Sequence, residues 1–283
     1  MSEHRIRLDD GRTLGFAEYG DPSGAALIYH HGGMSCALDF AFADRWCRER
    51  GIRVLAPDRP GTRDSSPLPG YDLTRTAADS AALADHLGIE RFAVAGWSAG
   101  GAHAIACAAT LGERVTATAT AGCPAPSDGP RLGLAFDRLL YPASRKRPGL
   151  ARFLIAFAAA APARLRDSQT RRALRSAADL RVLDDLPAGS LAAWMDGATA
   201  HGPRGVFDDY FATGSDWRGL ARSTEAPVHV FHGRQDRLVP PAHGLSLADL
   251  LPAAELHPVE DSGHFLLHEH LAEVAESLGL PGN

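Results

Sequence analysis

Short apolar runs alternate with longer amphipathic stretches along the first half of the chain. The runs have the length and composition of buried strands, and they occupy residues 25–31, 52–58, 91–96 and 115–122. The stretches between them close on a glycine, which is typical of a helix C-terminus, at residues 40–51, 76–88 and 102–112. The first 24 residues differ, because two strand-like stretches flank an Asp9-Asp10-Gly11 turn and predict a hairpin.

Strands and helices that alternate in this way predict parallel βαβ units in a mostly parallel, doubly wound α/β sheet. The alternation stops between residues 124 and 205, where helix-like segments are broken by prolines and no strand pattern is convincing. It resumes with strand-like runs at 227–233 and 254–260, followed by a final helix. We therefore predict a core of residues 1–123 and 206–283, with a helical insertion at residues 124–205.

The composition excludes several classes of protein. The chain has 283 residues, of which 45% are hydrophobic and 22% charged, and a formal net charge of −5. This balance gives no reason to expect nucleic acid or an anionic membrane as a partner. The N-terminal residues are polar, and the longest apolar run, at 153–163, contains Pro162 and is too short to span a bilayer. We expect a cytoplasmic protein without membrane attachment.

Cysteine spacing and local charge add two expectations. The cysteines form no CxxC motif and no His/Cys ligand spacing, so we expect reduced, buried thiols and no metal; they are Cys36, Cys47, Cys107 and Cys123. Between positions 128 and 182 there are 12 basic residues and 4 acidic ones. We interpret this excess as a solvated basic surface, and binding of an anionic substrate or an acidic carrier domain is the alternative.

One serine stands in a special setting. The sequence RFAVAGWSAGGAHAIA predicts a strand, a tight turn and a helix, with Ser98 in the turn. Gly96 and Gly100 complete a Gly-x-Ser-x-Gly motif, the nucleophile elbow, in which small neighbours are needed because the turn is strained. A glycine- and serine-rich turn that merely opens a helix is the structural alternative. A serine hydroxyl becomes a useful nucleophile only with a base and an orienting acid.

A base and an acid occur where such a fold requires them. Asp236 follows the run at 227–233, and His264 follows the run at 254–260. Both loops lie at the carboxyl ends of predicted parallel strands, where α/β proteins gather their sites. With the order Ser98, Asp236, His264, the chain resembles the α/β-hydrolase superfamily, whose triad runs in that order.

The resemblance covers nearly the whole chain and implies an α/β-hydrolase fold in which the insertion is the variable helical cap. Some relatives carry the acid one strand earlier, which here would be after the run at 115–122. No carboxylate follows that run before Asp128. The sequence HHGGM at 30–34 resembles the oxyanion segment, and PDRPGTRDS at 57–65 resembles an Asp-x-x-Gly-x-x-x-Ser segment. A departure is that the familiar Arg-Gly-x-Gly is replaced here by Arg-Pro-Gly-Thr-Arg.

The resemblance also implies the oxyanion hole and the pocket. The backbone N–H groups of Ala99 and Gly33 would hold the oxyanion, with Met34 as the alternative to Gly33. Trp97 and Met34 are expected to line the substrate pocket.

The activity implied is hydrolysis of a carboxylic ester or lactone of a small molecule, without a cofactor. His264 would take the proton of Ser98 while Asp236 orients the imidazole, so activity should rise with pH through roughly pH 6–7. Ser98 in place of an aspartate disfavours dehalogenase and epoxide hydrolase chemistry. The same residues serve carbon–carbon bond hydrolysis, perhydrolysis, acyl transfer or cyclisation in other members, and a small-molecule receptor is a further alternative.

Overall fold

A single sheet of eight strands organises the part of the chain that the computed structural model describes, residues 1–126, 129–133, 135–174 and 176–282. The spatial order of the strands is β1-β2-β4-β3-β5-β6-β7-β8. The first two pairings, β1 with β2 and β2 with β4, are antiparallel, and the others are parallel. The strands are β1 Ser2–Arg7, β2 Thr13–Gly20, β3 Ala25–His30, β4 Ile52–Pro57, β5 Phe92–Trp97, β6 Val115–Ala121, β7 Val228–Gly233 and β8 Ala254–Val259.

Helices connect and cover these strands, as the alternating pattern predicts. A 3₁₀ helix at Ala37–Ala43 precedes the first α-helix. The α-helices are α1 Asp44–Glu49, α2 Leu73–His86, α3 Gly100–Leu111, α4 Ala135–Lys146, α5 Pro148–Ala159, α6 Ala163–Leu174, α7 Ala177–Asp185, α8 Ser190–Ala198, α9 Arg204–Thr213, α10 Arg218–Arg222, α11 Ala242–Leu250, α12 Leu266–Glu269 and α13 Leu271–Ser277. The predicted final helix is therefore divided in two at His270. No described helix has both the length and the apolarity that crossing a membrane requires.

Apolar side chains pack on both faces of the sheet, which explains why the parallel strands read as continuous apolar runs. Ile28 and Leu55 belong to the cluster on one face, and their chain neighbours Leu27 and Val54 belong to the cluster on the other. Because successive strand residues point to opposite faces, neighbouring residues of such a run are buried on opposite sides of the sheet. The predicted mostly parallel, doubly wound α/β sheet is confirmed.

The strand order reverses its direction of growth at β3, and this positions the site. The chain passes from β3 to β4 on one side and then to β5 on the other side of β3. The loops that follow β3 and β5 therefore separate in opposite directions and leave a crevice at the carboxyl ends of the strands. These loops carry the HHGGM segment and the Gly-x-Ser-x-Gly turn.

The insertion is helical in its described residues. Helices α4, α5 and α9 share a small apolar cluster that includes Leu140, Ile155 and Phe207. Helix α9 runs through the predicted boundary between residues 205 and 206 and packs against α4 and α5. The division into a core of residues 1–123 and 206–283 and an insertion of residues 124–205 stays a prediction.

Candidate active site

The turn after β5 holds Ser98 in a strained backbone conformation. Its φ of 55° lies in the left-handed region, which costs energy for any residue with a Cβ atom. The neighbouring positions must be glycine because there is no room for a side chain. A Cβ on Gly96 would lie 2.2 Å from the Gly100 carbonyl oxygen, and a Cβ on Gly100 would lie 2.1 Å from the His30 carbonyl oxygen. The motif therefore packs the turn directly against the end of β3.

Ser98, His264 and Asp236 lie in a hydrogen-bonded row. His264 Nε2 is 3.1 Å from Ser98 Oγ, and His264 Nδ1 is 2.8 Å from Asp236 Oδ2. The second carboxylate oxygen, Asp236 Oδ1, accepts the backbone N–H groups of Leu238 at 2.9 Å and Val239 at 2.8 Å. Both carboxylate oxygens are thus held, which fixes the ring that they orient. Asp128, the first carboxylate after β6, lies outside the described residues.

The charge around His264 favours its protonated form. Burial of the ring lowers its pKa, but the carboxylate of Asp236 acts in the opposite direction, with smaller contributions from Asp179 and Asp137. The net effect raises the pKa of His264 above its ordinary value of 6.5. An imidazolium that forms during a reaction would be stabilised here.

The predicted oxyanion residues lie together beside this row. The position of a Cβ on Gly33 is 3.4 Å from the Ala99 Cβ, so the two backbone segments are in contact. Met34 has a φ of 52°, which turns the loop sharply after Gly33. Gly33, Met34 and Ala99 all line one cavity with Ser98.

Arg59 and Asp39 brace the loop that contains Gly33. The Arg59 guanidinium donates to the carbonyl oxygens of His31 at 2.6 Å and Gly32 at 2.8 Å. Asp39 Oδ2 accepts the Gly32 N–H at 3.0 Å and the Ser35 hydroxyl at 2.8 Å. From the sequence, the segment that contains Arg59 is identified only by its resemblance to a family segment and its departure from the familiar Arg-Gly-x-Gly, and the bracing role of Arg59 is not predicted.

A buried ion pair connects Arg59 to the helix α9. The Arg59 guanidinium donates to Asp209 Oδ2 at 2.9 Å. The Tyr71 hydroxyl and the His103 ring hydrogen-bond to Asp209 Oδ1. Burial raises the pKa of Asp209, but the positive charge of Arg59 and the bond to His103 outweigh it and hold the pKa well below the usual range. The carboxylate is therefore ionised, and both of its oxygens have hydrogen-bond partners in the interior.

Trp97 and Met34 line the predicted pocket. The cavity beside Ser98 and His264 has a volume of about 180 Å³. The Trp97 indole N–H donates to the His264 carbonyl oxygen at 2.8 Å, so this ring also positions the backbone of the histidine. The helices of the insertion add apolar side chains to the wall, namely Leu174, Leu191, Trp194 and Met195.

Two polar residues of this cavity were not predicted. The Tyr210 hydroxyl donates to Asp137 Oδ1 at 3.0 Å, and it lies 3.6 Å from the position of a Cβ on Gly33. Burial raises the pKa of Asp137 to about 6, although the bond from Tyr210 lowers it. The two residues lie on α4 and α9, far apart in sequence and outside any motif, so the sequence held no signal for them.

A second cavity adjoins the first. Its volume is about 520 Å³, and it shares Ala99, Pro124, Leu132 and Tyr141 with the cavity beside Ser98. A molecule larger than the first cavity could therefore extend into the second without losing contact with the residues near Ser98.

Comparisons with known proteins agree with this architecture. A sequence model of the family described as "alpha/beta hydrolase fold" matches residues 25–271. A Streptomyces lividans protein named non-heme chloroperoxidase is 26% identical and is covered over 94% of each chain. A 2-hydroxymuconate semialdehyde hydrolase of Pseudomonas putida is 29% identical over 88% of this chain and 84% of its own. The solved enol-lactonase of Burkholderia xenovorans LB400 has a TM-score of 0.70 at 20% identity, with 98% of both chains covered.

Proposed function

This chain belongs to the α/β-hydrolase family and is an enzyme of the hydrolase type, and from that premise we propose that it cleaves a carboxylic ester or lactone of a small molecule. The observation that supports this most is the row of hydrogen bonds from Ser98 Oγ to His264 Nε2 and from His264 Nδ1 to Asp236. A serine within reach of an oriented imidazole has the arrangement needed for acyl transfer.

In the first half of the reaction, Ser98 Oγ attacks the carbonyl carbon while its proton passes to His264 Nε2. The carbonyl oxygen becomes an oxyanion. The backbone N–H of Ala99 stabilises it together with the backbone N–H of either Gly33 or Met34. Loss of one such donor typically costs about 3 kcal/mol of transition-state stabilisation. The bond to the alcohol oxygen then breaks, and His264 gives its proton to the leaving alkoxide. Ser98 is left as an acyl ester.

In the second half, water attacks the acyl ester and gives a proton to His264. The bond between Ser98 Oγ and the acyl carbon breaks, Ser98 regains its proton and the carboxylic acid leaves. Asp236 keeps the ring in the tautomer with a free Nε2 lone pair and stabilises the imidazolium in both halves. Ser98 supplies the proton moved in the first half, water supplies the one moved in the second, and His264 carries both, so the mechanism needs no cofactor.

The walls of the cavity bear on the choice of substrate. Apolar side chains of the insertion, Leu174, Leu191, Trp194 and Met195, face the nucleophile, and an apolar acyl or ring portion would bury against them. We propose that the insertion acts as a cap that sets this choice. Several of its arginines already have carboxylate partners, such as Arg166 with Asp196, and binding of an acidic carrier domain by this surface stays a prediction.

The test is a screen over p-nitrophenyl esters of graded acyl length and several lactones, together with labelling by a fluorophosphonate. We expect hydrolysis of at least one ester or lactone and stoichiometric labelling. Ser98→Ala should abolish the labelling and lower kcat by at least about 10³-fold. Ser223→Ala, which removes an exposed hydroxyl on the surface, is the matched control and should change neither. Labelling that persists in Ser98→Ala would contradict the proposal.

Carbon–carbon bond hydrolysis is the second candidate, because the Pseudomonas putida relative named above is a 2-hydroxymuconate semialdehyde hydrolase and the similarity covers 84% of its length. Such a reaction would use the same Ser98 but release a carbon acid instead of an alcohol. Product analysis on vinylogous 1,5-diketones separates the two. Turnover of these substrates with none of the esters or lactones would favour the second candidate.

A further inference from the structure

Two histidines and a glutamate meet on one face of the last two strands. His229 lies on β7, and Glu255 and His257 lie on β8. The parallel register pairs His229 with Glu255. Because residues two apart on a strand point to the same face, His257 projects beside Glu255. The result is a group of three metal-binding side chains that belongs to neither the Ser98 row nor the cavities beside it.

The donor atoms have the spacing of ligands around one ion. His229 Nδ1 is 3.1 Å from His257 Nε2. Glu255 Oε2 is 3.3 Å from His229 Nδ1, and Glu255 Oε1 is 3.6 Å from His257 Nε2. Ligands about 2.0–2.1 Å from a tetrahedral zinc ion are about 3.3 Å apart. An ion therefore fits between these atoms with only small side-chain adjustments.

One of the imidazoles is held in place before any ion binds. The His257 ring stacks on Phe231 with the ring centroids 4.3 Å apart and the planes within 10°. Glu255, at 63% exposure, keeps the group open to solvent. An ion can enter, and a water molecule can complete its coordination.

We propose that His229, Glu255 and His257 bind one divalent transition-metal ion, with Zn²⁺ as the best match for two imidazoles and a carboxylate. β8 is the edge strand and pairs with β7 alone among the described strands. The ion would join the two strands side chain to side chain. The loops that follow these strands carry Asp236 and His264, so the ion would stiffen the part of the sheet that supports them.

The first test is isothermal titration calorimetry, in which ZnCl₂ is added to the EDTA-treated full-length enzyme and the heat of binding is measured. The second is the electron paramagnetic resonance spectrum of the Cu²⁺-loaded protein. We expect one equivalent of Zn²⁺, nitrogen hyperfine splitting from two imidazoles, and a higher melting temperature with Zn²⁺. Glu255→Gln removes one charge at an exposed position and should weaken Zn²⁺ binding about tenfold or more. The double variant His229→Asn/His257→Asn should lose the binding and the splitting.

His4→Asn is the matched control. His4 is an exposed histidine at the opposite edge of the sheet, and its Nε2 lies 3.3 Å from Glu18, but this pair has only one imidazole. Its loss should leave the Zn²⁺ titration unchanged. Absence of Zn²⁺ binding in the wild-type enzyme at millimolar concentration would overturn the proposal, as would undiminished binding in both Glu255→Gln and the double variant. The outcome does not depend on which ester or lactone is the substrate.

Discussion

The guanidinium of Arg59 forms an interior ion pair with the carboxylate of Asp209, with a shortest nitrogen–oxygen distance of 2.8 Å. The same guanidinium holds the carbonyl oxygens of His31 and Gly32. The pair therefore ties the loop before Gly33 to helix α9, which also packs against the helices of the insertion. This one contact therefore links the packing of the interior to the geometry beside the nucleophile.

Asp209→Asn should destabilise the protein strongly. It leaves the positive charge of Arg59 buried without a charged partner, a change that typically costs about 3–5 kcal/mol. Urea denaturation measures the free energy of unfolding. The control is Asp85→Asn, which breaks an exposed ion pair with Arg114 and should change that free energy by less than about 1 kcal/mol. Equal effects of the two substitutions would show that the buried pair has no special role.

The contribution of Asp209 should also depend on pH. Its pKa is lower in the folded protein than in the unfolded chain. The unfolded chain therefore binds more protons at acid pH, and stability falls as the pH decreases. The contribution is complete above the unfolded value of about 4 and is lost as the pH falls toward the folded value. Urea curves between pH 3 and 7 should show the difference between wild type and Asp209→Asn shrinking toward the acid end.

The fold was predictable because its signals are local. Apolar runs with a closing glycine specify strands and helices within about ten residues, and the Gly-x-Ser-x-Gly turn needs only its own glycines. Asp236 and His264 could be selected because parallel strands bring their following loops to one edge of the sheet. The structure brings Ser98, His264 and Asp236 within hydrogen-bonding distance, and their catalytic roles stay predictions.

The rest of the site depends on packing between distant segments. Asp209 is separated from Arg59 by 150 residues, and no periodicity relates an arginine in one loop to a carboxylate in a later helix. Tyr210 contacts Asp137 because α9 packs against α4. The sequence of the insertion predicts helices but does not predict how they pack against one another. Charge and hydrophobic pattern determine which residues are buried, but not which buried polar groups become partners.

Asp236→Asn tests the orientation of the base. The backbone N–H groups of Leu238 and Val239 would retain the amide oxygen, so the NH₂ group must face His264 Nδ1. The ring then carries its proton on Nε2 and cannot accept one from Ser98. We expect a loss of about 10⁴-fold in kcat and in the rate of fluorophosphonate labelling, with little change in melting temperature. A labelling rate within tenfold of the wild type would refute this role.

Gly32→Ala tests the geometry of the oxyanion loop. The added Cβ would lie 2.8 Å from two ring carbons of Trp97, whose indole is fixed by its bond to His264. The loop must shift and carry the N–H of Gly33 with it, and a displacement of about 1 Å can cost about 10²-fold in rate. Steady-state kinetics measures kcat. Gly219→Ala, whose Cβ meets nothing within 4 Å, is the control and should retain full activity. An unchanged kcat in Gly32→Ala would argue against this loop as an oxyanion donor.

Asp137→Asn tests the electrostatic coupling across the cavity. His264 must be neutral to act as a base, and its pKa lies above 6.5 partly because of the charge on Asp137. The rate should therefore rise with pH through a midpoint above 6.5 in the wild type. The pKa of Asp137 is about 6, so its carboxylate is mostly charged where His264 titrates. Its removal lowers the pKa of His264 and should move the midpoint to lower pH.

The measurement for this last substitution is kcat/KM between pH 5 and 9 on an ester that does not itself ionise. The control is Asp184→Asn, which removes a carboxylate of the insertion that is 70% exposed and paired with Arg171, and which should leave the midpoint in place. Tyr210→Phe adds a second arm, because it removes the hydrogen bond to Asp137 while leaving the carboxyl group in the cavity. If the midpoint stayed fixed or rose in Asp137→Asn, the carboxylate would not act on the base, and its burial would have to be explained by contacts with the substrate instead.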